Sequence, residues 1–357
     1  MPVWTNQSNG SKDYANFAAD IGKAATTGSF QGDYSESCSK NGLVVCPFIK
    51  IEELGPSMHS CKLLNCDIDI ATWRSMLVAC SATGSTVTEL CFSNIQVSPQ
   101  HIADLAIFVK AKAIECLKLD YLTVLGDAEA MYVSLKSVIA NATSLQYLSL
   151  KGNNLDDRFL HETVTELRNH PCLVCLNLTE NSITDEGMTT LFQMLPLAIG
   201  LNCISVKNNY ITGASIVPGL EGLICGIVVT PEIETELKAI GKIVGDRNKA
   251  IRDLNKKRKK EELPELPELT PPGNRVVKGE STLLFNRTIH TIDVSRNSGF
   301  DVNDMNVLAD VSGKLMSSPP LDEATQCALT LTLHGLSDGD KSFVSNTDFN
   351  GLLRFVC

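Results

Sequence analysis

The chain has 357 residues, 43% of them hydrophobic and 20% charged, enough apolar matter for a packed core and too much for a disordered or collagen-like chain. A net charge of −10 argues against a nucleic-acid binder, and no apolar run approaches the roughly 20 residues that span a bilayer. Thirteen cysteines without an apolar leader at the N-terminus imply reduced thiols and a cytoplasmic location.

In chain order, residues 1–41 are polar and rich in Ser, Gly, Asn and Asp, and are expected to be a disordered tail or a segment ordered by a partner through its spaced aromatics. Residues 43–51 predict a cap strand. From residue 58 onward, apolar pairs recur at close to constant spacing. Met58, Cys61, Leu63, Cys66 and Ile68 are followed by Val87, Leu90, Phe92 and Ile95, then by Ile114, Leu117, Leu119 and Leu122. Three copies then align without gaps and 28 residues apart, beginning at Leu145, Leu173 and Leu201, each ending in an Asn (153, 181, 209) and one more aliphatic residue. Leu148 and Leu150 flank Ser149 as one buried face of a short strand requires. Each Asn is expected to turn inward and bond the backbone of the loop that follows, forming a ladder between coils.

Between these strands lie helix starts with apolar residues at i, i+3, i+4 and i+7. Ser98-Pro99 offers an N-cap and an N1 proline. Asp156-Asp157, Thr184-Asp185-Glu186 and Asp301 open others. After Ile211 the spacing breaks. GLICGIVV stands where the next strand is due, and Pro231 opens a long helix with Ile233, Leu237, Ile240, Val244, Ile251 and Leu254 on one seam. Its first half, to about Val244, is expected to pack as the repeat helix, and residues 245–262 to project. The seam suits a coiled-coil partner or the returning segment 275–288. Residues 247–260 hold eight basic residues and one acidic, a segment charge of +7, so the remainder of the −10 chain carries −17. A proline-rich connector follows. Ile289, Ile292, Val294 and Asn297 make a further good copy, and Leu329, Leu331, His334 and Leu336 a poor last one.

The LxxLxLxxNxL copies, each with a full helix in 27–31 residues, resemble the leucine-rich repeats of the ribonuclease-inhibitor type. The resemblance implies an α/β fold: an open horseshoe solenoid with parallel strands on the concave face and helices on the convex face. The expected organisation is a tail (1–41), repeats with an N-terminal cap (42–230), the long helix with its basic end and connector (231–288), and C-terminal repeats with a cap (289–357).

No phosphate-binding glycine loop, HExxH or GxSxG motif is present, and Asp338-Gly-Asp340 lacks the later ligands of a calcium loop. The repeat register makes Glu89, Cys116, Tyr147, Cys175, Cys203 and Thr291 one column on the exposed strand face. Cys175 and Cys203 read as small, half-buried fillers. Neither a metal nor a cofactor is expected. The candidate partner-binding residues of the concave face are Tyr121, Lys151, Glu180, Lys207, Asn208 and Arg296, with Asp120 beside them. Those of the arm are Ile251, Leu254, Lys256, Lys257, Arg258, Lys259 and Lys260, suited to an acidic protein surface such as tubulin.

Two functions follow from the resemblance. One is a non-enzymatic scaffold that binds protein, since ITDEGMTTLFQML and IDVSRNSGFDVNDMNVLADVSGKL are similar to repeats of ciliary, centrosomal and other cytoskeletal leucine-rich proteins. The other is a GTPase-activating protein for a Ran-like nuclear-transport GTPase, with Arg158 stabilising the transferring phosphoryl group. No small-molecule substrate is expected in the first case.

Overall fold

The computed structural model describes residues 2–4, 17–23, 27–55, 58–82, 85–260, 268–272, 274–278, 281–285 and 288–297, isolated positions beyond Lys260, and the strands 329–332 and 353–356. The chain divides into two compact units, Met1–Asn153 and Asn154–Cys357.

The first unit contains β1 (Val3–Trp4), α1 (Phe17–Asp20), α2 (Phe30–Lys40), β2 (Ile49–Gly55), β3 (Met58–Leu64), β4 (Asp67–Ile68) and α3 (Ile70–Ser81). It continues with β5 (Val87–Ser93), β6 (Gln96–Val97), α4 (Pro99–Ala111), β7 (Cys116–Asp120), β8 (Thr123–Val124), α5 (Ala128–Asn141) and β9 (Tyr147–Ser149). β3, β5, β7 and β9 pair in parallel, each with its sequence successor, while β2 closes the end antiparallel to β3. A helix leads from each parallel strand to the next, the connection parallel pairing requires. Leu63, Leu90, Phe92, Leu117, Leu119 and Leu148 are all buried beneath it. Helix starts follow their caps: Asp69 accepts from Thr72 N–H at 2.7 Å, and Ser98 with His101 forms a capping box on α4.

The N-terminal segment departs from the expected tail. Residues 30–40 form α2, with Tyr34 and Cys38 buried, and Val3–Trp4 pairs with Asp67–Ile68. Cys46 N–H donates to Tyr34 Oη at 3.2 Å. Burial pushes the Tyr34 phenol well above its ordinary pKa and the Cys38 and Cys46 thiols up to about 11. Of the spaced aromatics, Phe17 and Tyr34 are core of this unit, Trp4 and Phe30 are half-buried, and Tyr14 lies outside the described residues. The cap strand begins at Ile49 and runs to Gly55, later than the expected 43–51.

The second unit contains α6 (Asp157–Asn169), β10 (Cys175–Asn177), α7 (Asp185–Met194), β11 (Cys203–Ser205), α8 (Gly213–Cys225), β12 (Ile227–Val228), α9 (Pro231–Lys260), β13 (Asn274–Lys278), β14 (Ser281–Phe285), β15 (Thr291–Asp293), β16 (Leu329–Thr332) and β17 (Leu353–Val356). β10, β11, β15, β16 and β17 pair in parallel in that order. The strand at 329–332 matches the poor last copy, while 353–356 carried no repeat signal. The expected helix after Asp301 falls largely outside the described residues, as do His334 and Leu336.

Cys203 pairs directly with Thr291, so everything between α8 and β15 is an insertion that leaves the strand order intact. The repeat helix of this coil is α8, which corrects the expectation that α9 fills that role. GLICGIVV supplies the end of α8 and β12, which joins an antiparallel three-stranded sheet, β12-β14-β13, rather than the repeat sheet. The first half of the α9 seam is covered from within the unit. Leu237, Ile240 and Val244 pack with Leu197, Ile199 and Leu284, and Leu284 belongs to the returning segment.

Candidate functional site

The exposed strand faces are built by alternation: as Leu117 and Leu119 turn inward, Cys116, Lys118 and Asp120 turn out. In the first unit the pairing sets Ser60, Glu89, Cys116 and Tyr147 in one row and Lys62, Cys91, Lys118 and Ser149 in the next. Glu89 accepts from Ser60 Oγ and from Lys118 Nζ, both at 3.1 Å. Burial pushes the Glu89 carboxyl up, but Lys118, Cys116 and Ser60 outweigh it and hold it below its ordinary value. Burial, then the charge of Glu89, pushes the Cys116 thiol up to about 12, so it stays protonated at neutral pH. Lys118 also stands 5.9 Å from the centroid of the Tyr147 ring, and Lys62 pairs with Glu52.

At the rim of this face Asp120 Oδ1 accepts from Ser149 Oγ at 2.6 Å and Lys151 N–H at 3.1 Å. Lys151 Nζ lies 5.3 Å over the Tyr121 ring. That ring occupies the space a Cβ on Gly152 would need, 2.3 Å from it, and Gly152 has φ +68°. Tyr121 and Lys151, chosen from the sequence, are thus brought together. Lys118 was not chosen; its signal was a lysine between two core leucines, facing an acidic residue one repeat earlier.

In the second unit the rows are Cys175, Cys203 and Thr291, then Asn177, Ser205 and Asp293. Thr179 Oγ1 and Ser205 Oγ are 2.9 Å apart, and Ser295 N–H donates to Asp293 at 3.0 Å. Burial and the adjacent Cys175 push the Cys203 thiol up to about 11. Lys207 is half-buried, as is Glu180, while Asn208 and Arg296 are exposed.

Four of the six chosen residues share a backbone role invisible in the sequence. Tyr121, Glu180, Asn208 and Arg296 all have φ between 54° and 60°, as do Asn65 and Asn94 within a few degrees. They stand at the same place in each coil, just before the inward-facing Asn or its replacement. Their N–H groups donate to the next coil: Tyr121 to Lys151 O at 2.7 Å, Glu180 to Lys207 O at 2.8 Å, Asn208 to Ser295 O at 2.9 Å. The Asn that follows completes the turn. Asn181 accepts from Leu155 N–H at 3.0 Å and donates to Leu178 O at 2.9 Å, and Asn209 accepts from Ile183 N–H at 3.0 Å. Each therefore makes the expected ladder between coils, but by reaching back to the preceding coil rather than to the loop that follows.

A second ladder runs along the helix starts. Asp157 accepts from the N–H and Oγ1 of Thr184, at 2.8 and 2.6 Å, and Asp185 repeats this with Thr212. Arg158 is in the first turn of α6, with its guanidinium bonded twice to the Asp156 carboxylate at 2.9 and 2.7 Å.

The arm is tied down further along than the sequence implied. Arg168 pairs with Glu236 at 2.7 Å. Asn248 and Leu269 exchange two hydrogen bonds, at 2.8 and 2.7 Å, and Arg252 pairs with Glu268 at 2.7 Å. The returning connector thus lies along the helix at residues 248–252. Ile251 is half-buried, Lys256 bonds Asp253 at 2.8 Å, and Lys259 is exposed. The side chains of Leu254, Lys257, Arg258 and Lys260 lie outside the described residues. Among the described residues, no three His, Cys, Asp or Glu side chains are grouped to hold a metal ion, and no helix is long and apolar enough to cross a membrane.

Residues 169–192 match the family model described as Leucine Rich repeat. The match covers the end of α6, β10 and nearly all of α7, one strand-and-helix coil. No curated protein matches the chain at a significant level.

Proposed function

We propose that this leucine-rich repeat protein is a non-enzymatic scaffold, a structural subunit of a larger cytoplasmic assembly of the cytoskeletal or ciliary kind. In this reading the coils are of the ribonuclease-inhibitor-like type and stack as an open horseshoe. The observation that carries it is the register: consecutive strands present aligned rows of outward side chains, the surface repeat proteins offer to protein partners. Tyr147 and Tyr121, each beside a lysine, are the residue type that dominates binding energy at such surfaces. Burial pushes the Cys116 and Cys203 thiols up and keeps them protonated, which favours packing and contact over nucleophilic chemistry. The arm offers a second surface, for an acidic partner. The GTPase-activating reading finds no support in Arg158, whose guanidinium is engaged by its neighbour Asp156.

The test is affinity purification with mass spectrometry on three forms of the full chain: wild type, a strand-face variant (Lys118→Glu with Tyr147→Ala), and an arm variant with Lys256–Lys260 reversed in charge. Cytoskeletal components are expected with the wild type and are expected to drop out with at least one variant whose melting temperature is unchanged. Recovery of no partner, or of the same partners with all three, would overturn the reading.

A further inference from the structure

The exposed side of α9 carries a pattern longer than the basic run at its end. Lys238, Lys242, Lys249, Arg252, Lys256 and Lys259 are all exposed. They follow one another at spacings of four and three residues, with Gly245 filling the step between Lys242 and Lys249. That spacing keeps them on one face of a helix. The face lies away from Leu237, Ile240 and Val244, which are buried in the unit. From Lys238 to Lys259 the stripe is ~32 Å long at 1.5 Å per residue. The acidic residues Glu232 and Glu234 stand before it in the first turn, where the helix dipole favours them.

A second observation points to a ligand on this face. Gly241 and Gly245 are exposed and helical, and a Cβ on either would meet nothing within 4 Å. Glycine inside a helix costs about 1 kcal/mol relative to alanine, and no contact among the described residues requires it here. Two such positions one turn apart leave a shallow track in which another main chain can lie close to the helix.

We propose that this stripe binds an extended acidic polypeptide segment, laid along α9 with its carboxylates on the lysine row; the proposal rests on the scaffold reading and names the partner class of its arm. The chain itself supplies the precedent. Its connector reaches α9 with Glu268 on Arg252 and Leu269 on Asn248, docked by one ion pair and by two hydrogen bonds between the Leu269 main chain and the Asn248 side chain. Carboxylates on one face of an extended chain recur every ~7 Å, within reach of flexible lysines separated by one helical turn. A nucleic acid fits less well: five of the six cations are lysines without the planar fork that grips phosphate, and none of the stripe is aromatic for bases to stack on. A bilayer fits less well too, because the apolar face that would insert is already buried in the unit.

Fluorescence anisotropy on the full chain tests this, with a labelled peptide of about ten glutamates, sized to the stripe. A uridine oligonucleotide of equal charge and phosphatidylserine vesicles are the competing probes. The glutamate peptide is expected to bind most tightly and to weaken by about tenfold between about 50 and about 300 mM salt. The triple variant Lys238→Glu, Lys242→Glu, Lys249→Glu is expected to weaken it by a similar factor with an unchanged circular-dichroism melt. Gly241→Leu with Gly245→Leu, placed in open space, is expected to fold as the wild type and bind several-fold more weakly. No binding by the wild type, undiminished binding by the folded triple variant, or tighter binding of the oligonucleotide or vesicles would overturn the proposal. Should the triple variant fail to fold, undiminished binding by the glycine variant overturns it. Partners lost with the strand-face variant but indifferent to these changes would remove the stripe alone and leave the scaffold reading standing.

Discussion

At the scale of single residues, the left-handed position of each coil separates two demands that the sequence shows as one. The backbone there must turn so that its N–H can reach the next coil, and that conformation suits Gly or Asn. Asn65, Asn94 and Asn208 comply, and Gly152 takes the place in its coil. Tyr121, Glu180 and Arg296 do not, although their backbones make the same turn. Arg296 is exposed, and its main-chain conformation costs about 1 kcal/mol against asparagine. Arg296→Asn is therefore expected to raise unfolding stability by about that amount in urea melts. An unchanged or lowered midpoint would mean that the arginine side chain repays the strain with a contact of its own.

At the scale of elements, neighbouring coils are joined at three places: the strand ladder, the asparagine turns and the aspartates at the helix starts. The last is sensitive to pH. Burial raises the Asp185 pKa, but the bonds from Ser215 and Thr212 outweigh it and hold the carboxyl below its ordinary value. A group whose folded pKa is depressed adds stability above its unfolded pKa, and that contribution is lost as pH falls through the folded one. Between neutral pH and about pH 5 the contribution of Asp185 is constant; below about pH 4 it fades. Asp185→Asn should thus lower the melting temperature at pH 7 and lower it less at about pH 3. An equal loss at both would show that the carboxylate charge contributes nothing to the joint between α7 and the start of α8.

At the scale of the whole molecule, the insertion and the repeat sheet of the second unit are held by different forces. β11 meets β15 in register across 88 residues of sequence, through backbone bonds and the buried pair Ile204 and Ile292. The insertion is held by an apolar cluster that it shares with Leu197 and Ile199, between α7 and β11, and in which Ile240 is fully buried. Ile240→Asp would place an unpaired charge there, at a cost of several kcal/mol. Hydrogen exchange should then show residues 231–260 and 281–285 losing protection while 175–177 and 203–205 keep theirs. Loss of protection in all four segments would mean that the insertion is part of the core on which the repeats depend.

The repeats were legible because they are local: an apolar residue at every second place of a strand, an asparagine at its end and a cap at the next helix all lie within one period of about 28 residues. Leu148, Leu176 and Asn181 could be read that way, and so could the outward column from Glu89 to Tyr147. The left-handed turns were hidden because φ is a property of the backbone, and Tyr121 or Glu180 does not advertise it. The fate of the N-terminal segment and of α9 was decided by tertiary packing. Tyr34 and Ile240 are apolar in any reading, but whether such residues face a partner or their own chain depends on surfaces distant in sequence, α3 for one and Leu197, Ile199 and Leu284 for the other. Burial against those surfaces is non-directional and leaves no local spacing to read. The sequence alone therefore determined the period, the strands and the basic character of the arm, and only the tertiary structure decided which of its apolar faces were already covered and which charged face was left exposed.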